Sequence, residues 1–223
     1  MKKPSLALAL LATLGLAAAP TPASAAKKPL PNCAAKKSKT IAQSADGRIY
    51  RVGTTAFACS FKADKRFELG DTDECQNQTR VGDFRFGRGI VGYIGSSCGL
   101  VSGTETVVVR NLKTGRIVNS GSPVDHTWDG GESSTSIGSW GLKPNGSIAW
   151  IGRNYGFVTT PGSPPAPASE LVQVWKREIG ATAAKLDEGP GIITESVAVG
   201  AGSAAEVPVY WRNGSTAMSA TLR

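Results

Sequence analysis

Histidine, methionine and charged side chains are scarce in this chain of 223 residues, which has one histidine, two methionines and 19% charged residues. Every Ser-His-Asp or Cys-His arrangement would have to include the single histidine, His126. The four cysteines form no C-x-x-C pair, which counts against a zinc site. Apolar runs after residue 25 have only strand length, so no later segment predicts a membrane span. These absences exclude a multi-pass membrane protein and leave little support for familiar enzyme classes.

The N-terminus has the three zones of an export signal. A positive start, Met1-Lys2-Lys3, precedes an apolar stretch over 6–19 and an A-x-A site that ends at Ala25. The apolar stretch is too short to span a bilayer comfortably, because a spanning helix needs about 20 residues. We expect cleavage after residue 25, a basic Pro/Ala-rich arm over 26–39, and a secreted protein whose folded domain covers 40–223.

The cysteine count predicts two disulfides in that exported protein. Cys33, Cys59, Cys75 and Cys98 all lie in its first half, and an even number of cysteines in a secreted chain usually pairs. Three pairings are possible. We favour Cys33–Cys59 and Cys75–Cys98, because Cys33 and Cys75 each precede a strand-rich module whose later part holds the other cysteine.

A strand pattern recurs along the rest of the chain: an alternating strand, a tight glycine turn, and a strand that ends in an aromatic residue. Asp46-Gly47 and Asn145-Gly146 predict two such turns, since these residues accept positive φ. Lys113-Thr114-Gly115 predicts a further turn. The aromatic residues that mark the modules are Tyr50, Tyr93, Trp150 and Tyr210. The pattern predicts an all-β fold, a propeller-like array of about four antiparallel strand modules that forms a partial or small β-propeller, with a β-sandwich as the alternative.

Two hairpins carry a resemblance to a known family. The segments over 107–117 and 142–151 resemble the halves of a TolB-type, WD40-like β-propeller repeat, and the mature chain resembles secreted, uncharacterised actinobacterial proteins built from such repeats. The resemblance implies a bacterial extracellular protein and assigns no activity. It covers most of residues 40–223.

Candidate sites for chemistry are few. The polar loop that contains Asp125, His126, Trp128, Asp129 and Glu132 is the best candidate contact surface, because loops carry recognition in repeat folds. A solvated loop is a better interpretation of these acids, and of the Asp71–Glu74 cluster, than a calcium site, since neither has the EF-hand spacing. We expect no catalytic residue and no metal site.

Two further patterns favour structure over binding. Gly87–Gly92 matches G-x-G-x-x-G, but strand-like sequence on both sides argues against a dinucleotide site, and we expect no cofactor. Trp140, Trp150, Trp175 and Trp211 are expected to pack in the core, whereas Trp128 is expected in an exposed loop.

The net charge of +8 does not predict nucleic-acid binding, because the excess is confined to the N-terminus. Without the leader and the arm over 26–39, 18 cationic residues face 17 anionic ones. The sequence therefore favours a monomeric, secreted, non-catalytic binding or scaffold domain with an extracellular protein or envelope polymer as partner. An extracellular glycan hydrolase that uses loop carboxylates, and attachment to envelope polymers through the basic arm, are the alternatives.

Overall fold

The computed structural model describes residues 33–73, 79–98, 103–122, 132–158, 166–201 and 205–223. Within these ranges the chain forms fifteen β-strands and no α-helix, which confirms the all-β class. The strands are β1 (Lys39–Gln43), β2 (Gly47–Val52), β3 (Thr55–Ser60), β4 (Lys65–Asp71), β5 (Thr79–Gly87), β6 (Ile90–Cys98), β7 (Gly103–Asn111), β8 (Ile117–Gly121), β9 (Glu132–Leu142), β10 (Ile148–Val158), β11 (Ala166–Arg177), β12 (Ala184–Glu188), β13 (Ala198–Val199), β14 (Val207–Asn213) and β15 (Thr216–Leu222).

Twelve of the strands, β1 to β12, form one mixed sheet. Most neighbours are consecutive in sequence and antiparallel, and β8 branches off by pairing with β7. Single residue pairs make the two parallel connections, Asp71 with Arg80 between β4 and β5 and Thr104 with Thr135 between β7 and β9. Strands β13 to β15 form a second, antiparallel sheet. The end strands β1 and β12 do not pair with each other in the described residues, so the larger sheet is open.

The predicted division into about four modules is not supported by this sheet topology. Hydrogen bonding joins the described strands into two sheets, because the single parallel pairs connect groups that the sequence pattern treats as separate. The strands therefore show an all-β fold, and their topology establishes neither a propeller nor a sandwich.

Glycine chemistry explains the predicted turns in two different ways. Gly146 has a φ of 103° in the β9–β10 turn, where the Lys143 amide donates to the Ser147 carbonyl at 2.9 Å. Gly47 instead begins β2, and a Cβ there would collide with the Cys59 carbonyl oxygen of β3. The turn next to Asp46 is at the expected place, but its glycine serves close strand approach rather than positive φ.

Apolar side chains that alternate along the strands form the core, and they include the four tryptophans expected there. Trp140, Trp150, Trp175 and Trp211 are all at most 9% exposed. Trp150 and Trp175 stack with ring centroids 6.2 Å apart, between β10 and β11. Such large rings bury much apolar area, and the Trp150–Trp175 stack packs β10 against β11.

One of the predicted disulfides is present. Cys33 and Cys59 are bonded, with Cα atoms 5.4 Å apart, and both are fully buried beside Tyr50. The bond ties the last part of the predicted basic arm to β3. Cys75 lies outside the described residues, so the pairing of Cys75 with Cys98 stays a prediction.

Candidate functional site

The loop predicted as a contact surface lies almost entirely outside the described residues. Asp125, His126, Trp128 and Asp129 belong to the gap at 123–131, and Glu132 is the first residue of β9. The role assigned to these residues therefore stays a prediction.

A cleft of about 630 Å³ lies between β1 and β5 in the described part of the chain. We call it the β1–β5 cleft. Its polar lining includes Lys39, Thr40, Arg51, Asp73 and Asp83, and its apolar lining includes residues 41, 42, 81 and 84. The volume is within the range of about 300–1,000 Å³ that is usual for ligand sites.

Two lining residues of the cleft form an ion pair. Arg51 Nη1 lies 3.6 Å from Asp73 Oδ1, and the two side chains are 36% and 50% exposed. The Thr72 hydroxyl donates to the Thr54 carbonyl at 2.8 Å, which holds the chain next to Asp73 in place. Because both charged groups are solvated, the pair orients the side chains more than it stabilises the fold.

Asp83 and Phe84, two lining residues of the cleft, lie in a β-bulge of β5. The register of β5 on β6 shifts between Gly82 and Arg85, and Asp83 has a φ of 44°, a conformation that aspartate tolerates better than most residues. Asp83 Oδ2 accepts a hydrogen bond from Trp140 Nε1 at 2.5 Å and pairs with Arg85 at 3.2 Å. The bulge thereby anchors this wall of the cleft to β9.

An aromatic pair supports the apolar part of the lining. The ring centroid of Phe84 lies 6.2 Å from that of Tyr93, and Arg110 Nε donates to the Tyr93 hydroxyl at 2.9 Å. Burial raises the pKa of Tyr93 above its usual value of 10.0, although the charge and hydrogen bond of Arg110 act in the opposite direction. Tyr93 therefore supports Phe84 as a neutral phenol at physiological pH.

The acids and possible metal ligands of the cleft have the following arrangement. Its acids, Asp73 and Asp83, each have an arginine partner. Among the described residues no three histidine, cysteine or acidic side chains are grouped as metal ligands are. Asp73 belongs to the acidic cluster noted in the sequence, whereas Arg51 and Asp83 carried no local signal, because only the packing of the strands brings them to the same cleft.

The segment Gly95-Ser-Ser97-Cys-Gly99 has the spacing G-x-S-x-G. In esterases that spacing exposes a strained serine at a turn from strand to helix. Here Ser97 lies inside β6 and is paired with Thr79 on one side and Thr104 on the other. The extended, doubly paired backbone argues against a nucleophile elbow.

No family model matches this chain, and no curated protein shows significant similarity to it. The likeness to TolB-type repeats thus stays a prediction. None of the described segments is a helix with the length and apolar character needed to cross a bilayer. The buried Cys33–Cys59 bond favours an oxidising compartment such as the cell exterior.

Proposed function

We propose that this protein is an exported, propeller-like, non-catalytic domain that binds a glycan of the cell envelope in the β1–β5 cleft. The observation that carries the proposal is the placement of four strands side by side: β5 contacts both β1 and β9, and β9 also contacts β13. Each of these strands opens a run of antiparallel neighbours. Radial β-repeats place equivalent strands around a common axis in this way, and the cleft lies between the first two.

Hydrogen bonds between successive turns support the same arrangement. The turns after β1, β5 and β9 and the loop before β14 form a chain of contacts. These are Gly89 N to Asp46 Oδ2 at 2.9 Å, Arg88 N to Pro144 O at 3.0 Å, and Lys143 Nζ to Ala205 O at 2.5 Å. A contact that recurs from one strand group to the next is expected when the groups repeat around an axis.

The lining of the cleft supports a sugar as the ligand. Phe84 offers an apolar ring, while Thr40, Arg51 and Asp73 offer donors and acceptors near it. A sugar presents C–H groups on its face and hydroxyls at its edge, which suits an apolar wall with a few polar groups. One carboxylate oxygen of Asp73 and one of Asp83 are paired with arginines. A general acid or a nucleophile would need its carboxyl oxygen to face the substrate, so this pairing supports binding without hydrolysis.

Gly82 provides a direct test, because its Cβ position has nothing within 4 Å and it lines the cleft. Chitohexaose, laminarihexaose and mannohexaose are titrated calorimetrically into the exported protein. At least one should bind, and Gly82→Trp should weaken that binding by about tenfold or more by filling the cleft, which corresponds to about 1.4 kcal/mol. Gly82→Ala is the matched control and should bind as wild type does.

The outcomes separate this proposal from its alternatives. Binding that survives Gly82→Trp contradicts the cleft as the site. Release of reducing sugar that stops in Asp73→Asn or Asp83→Asn indicates the hydrolase alternative. The arm over 26–39 is tested by deleting residues 26–32 and changing Lys36 and Lys37 to glutamine, which leaves the Cys33–Cys59 bond in place. Binding that disappears in this variant and weakens steeply with salt indicates attachment through the basic arm.

A further inference from the structure

A second pocket lies where four hairpin turns meet, and it shares no lining residue with the β1–β5 cleft. We call it the turn pocket. It has a volume of about 480 Å³. The β1–β2, β3–β4, β5–β6 and β7–β8 turns contribute its polar lining, which includes Asp46, Lys62, Arg88, Gly89, Asn111 and Lys113.

Hydrogen bonds between the turns hold the pocket in shape. Asp46 Oδ2 accepts from the Gly89 amide at 2.9 Å, and the Gly89 carbonyl accepts from the Leu112 amide at 2.9 Å. Asn111 Oδ1 accepts from the Lys113 amide at 2.9 Å, which fixes the β7–β8 turn. Three separate turns are therefore tied together, so little ordering of the backbone is left to do when a ligand binds.

The charge of the turn pocket is strongly positive for a protein whose folded domain is nearly neutral. Lys62, Arg88 and Lys113 are exposed, and none forms an ion pair with an acid in the described ranges. Asp46 is the one acid among the lining residues, and its Oδ2 is engaged by Gly89. Three cations against one anion leave a formal charge of +2 in the pocket.

We infer that the turn pocket binds a phosphomonoester. A phosphomonoester carries about two negative charges at neutral pH and three acceptor oxygens, which matches three cations and a net +2, whereas a carboxylate or a sulfate ester carries one charge. The guanidinium of Arg88 offers a planar pair of donors suited to phosphate, and Lys62 and Lys113 supply point charges from two other turns. The pocket is large enough for the sugar that carries the phosphate.

Calorimetric titration with mannose 6-phosphate tests the inference on the exported protein, with mannose and glucuronate as neutral and carboxylate controls. Mannose 6-phosphate should bind and mannose should not. The affinity for glucuronate should be lower than that for mannose 6-phosphate by about tenfold or more. Affinity should fall between pH 7.5 and pH 5, because the second phosphate ionisation is near pH 6.

Charge variants locate the site. Changing Lys62, Arg88 and Lys113 together to glutamine should lower the affinity by about tenfold or more, since charge-assisted hydrogen bonds of this kind contribute more than neutral ones. The matched control replaces exposed cations outside the pocket, Lys36, Arg80 and Arg212, and should bind as wild type does.

Asp46→Asn gives a change of opposite sign. Asparagine keeps an acceptor for the Gly89 amide but removes the negative charge from the pocket, so affinity for mannose 6-phosphate should rise severalfold at low salt. A fall in affinity would contradict the charge argument.

A mannan oligosaccharide that ends in mannose 6-phosphate distinguishes a phosphate on an envelope polymer from a free sugar phosphate, since a polymer source predicts that the sugars beside the phosphate add contacts and tighten binding. The inference is overturned if mannose 6-phosphate does not bind, or if the pocket and control triple variants lose affinity equally. It is also overturned if deletion of residues 26–32 abolishes binding. The Gly82→Trp variant should bind mannose 6-phosphate normally, so failure of the glycan proposal and failure of this one are told apart.

Discussion

Replacing Asn119 by alanine should lower the free energy of unfolding by about 2–4 kcal/mol. Asn119 lies in β8 and is 4% exposed. Its Nδ2 donates to the carbonyls of Gly146 at 3.0 Å and Arg177 at 3.1 Å, in the β9–β10 turn and at the end of β11. Alanine removes these two hydrogen bonds, of about 1 kcal/mol each, and a third that Asn119 Oδ1 accepts from the Ser120 amide at 2.9 Å. It also leaves two carbonyls at a buried position without this donor, which adds a desolvation cost.

Asn119→Asp keeps the size of the side chain but should be worse than alanine at pH 7. A carboxylate cannot donate, and its charge would face both carbonyl oxygens. That environment raises the pKa of the introduced carboxyl above its unfolded value, so the folded state binds more protons. The part of the destabilisation that comes from the charge is therefore absent at pH values below the unfolded pKa, and it is fully present once pH has risen through the folded pKa.

Urea unfolding followed by tryptophan fluorescence at pH 7 and pH 4 measures these differences. Asn111→Ala is the control, because Asn111 Oδ1 accepts hydrogen bonds within its own turn, from Lys113 and Thr114. This substitution should lower the free energy of unfolding by about 1 kcal/mol or less. The reasoning is refuted if Asn119→Ala lies within about 0.5 kcal/mol of wild type, or if Asn119→Asp equals alanine at pH 7.

Three other perturbations test the packing. Changing Cys33 and Cys59 to alanine should lower the free energy of unfolding in urea by about 3.5 kcal/mol, because the bond closes a loop with a sequence separation of 26. The reduced wild-type protein should be as unstable as this variant. An unchanged free energy of unfolding would contradict the loop-entropy argument. Gly121→Ala should lower the free energy of unfolding by about 1–3 kcal/mol, since the added Cβ would lie 2.9 Å from the Trp150 ring. Thermal unfolding measures this change, and an unchanged melting temperature would show that the ring can move away. Because burial raises the pKa of Tyr93 above 10.0, stability should fall as pH rises past 10 through the folded pKa, and Tyr93→Phe should remove this loss in alkaline unfolding titrations. An equal alkaline loss in that variant would exclude Tyr93 as its source.

Local sequence chemistry predicted the strand class and several turns, because turn residues act over three or four positions. Lys113-Thr114-Gly115 forms the β7–β8 turn, with Gly115 at a φ of 74°. Asn145-Gly146 forms the β9–β10 turn as expected. The same reasoning placed the Asp46 turn but misjudged Gly47, whose role depends on the backbone of β3 across the sheet.

Residues of the β1–β5 cleft could not be grouped from the sequence. Arg51 is 22 positions from Asp73, and Asp83 reaches Trp140 across 57 positions. No periodicity links positions so far apart, since their distance depends on sheet order and on the bulge in β5. The three cations of the turn pocket were equally hidden, because each looks like an ordinary solvated turn residue on its own strand pair.

By itself, the sequence determined what depends on neighbouring residues: the all-β class, the glycine turns, the burial of the tryptophans, and a charge excess confined to the N-terminus. It also favoured the Cys33–Cys59 pairing that the fold contains. Only the tertiary structure decided which turns meet, which arginine holds which carboxylate, and that Lys62, Arg88 and Lys113 face one pocket. The physical reason is that strand order and register bring together residues from distant parts of the chain, and local propensities do not specify which strands pair.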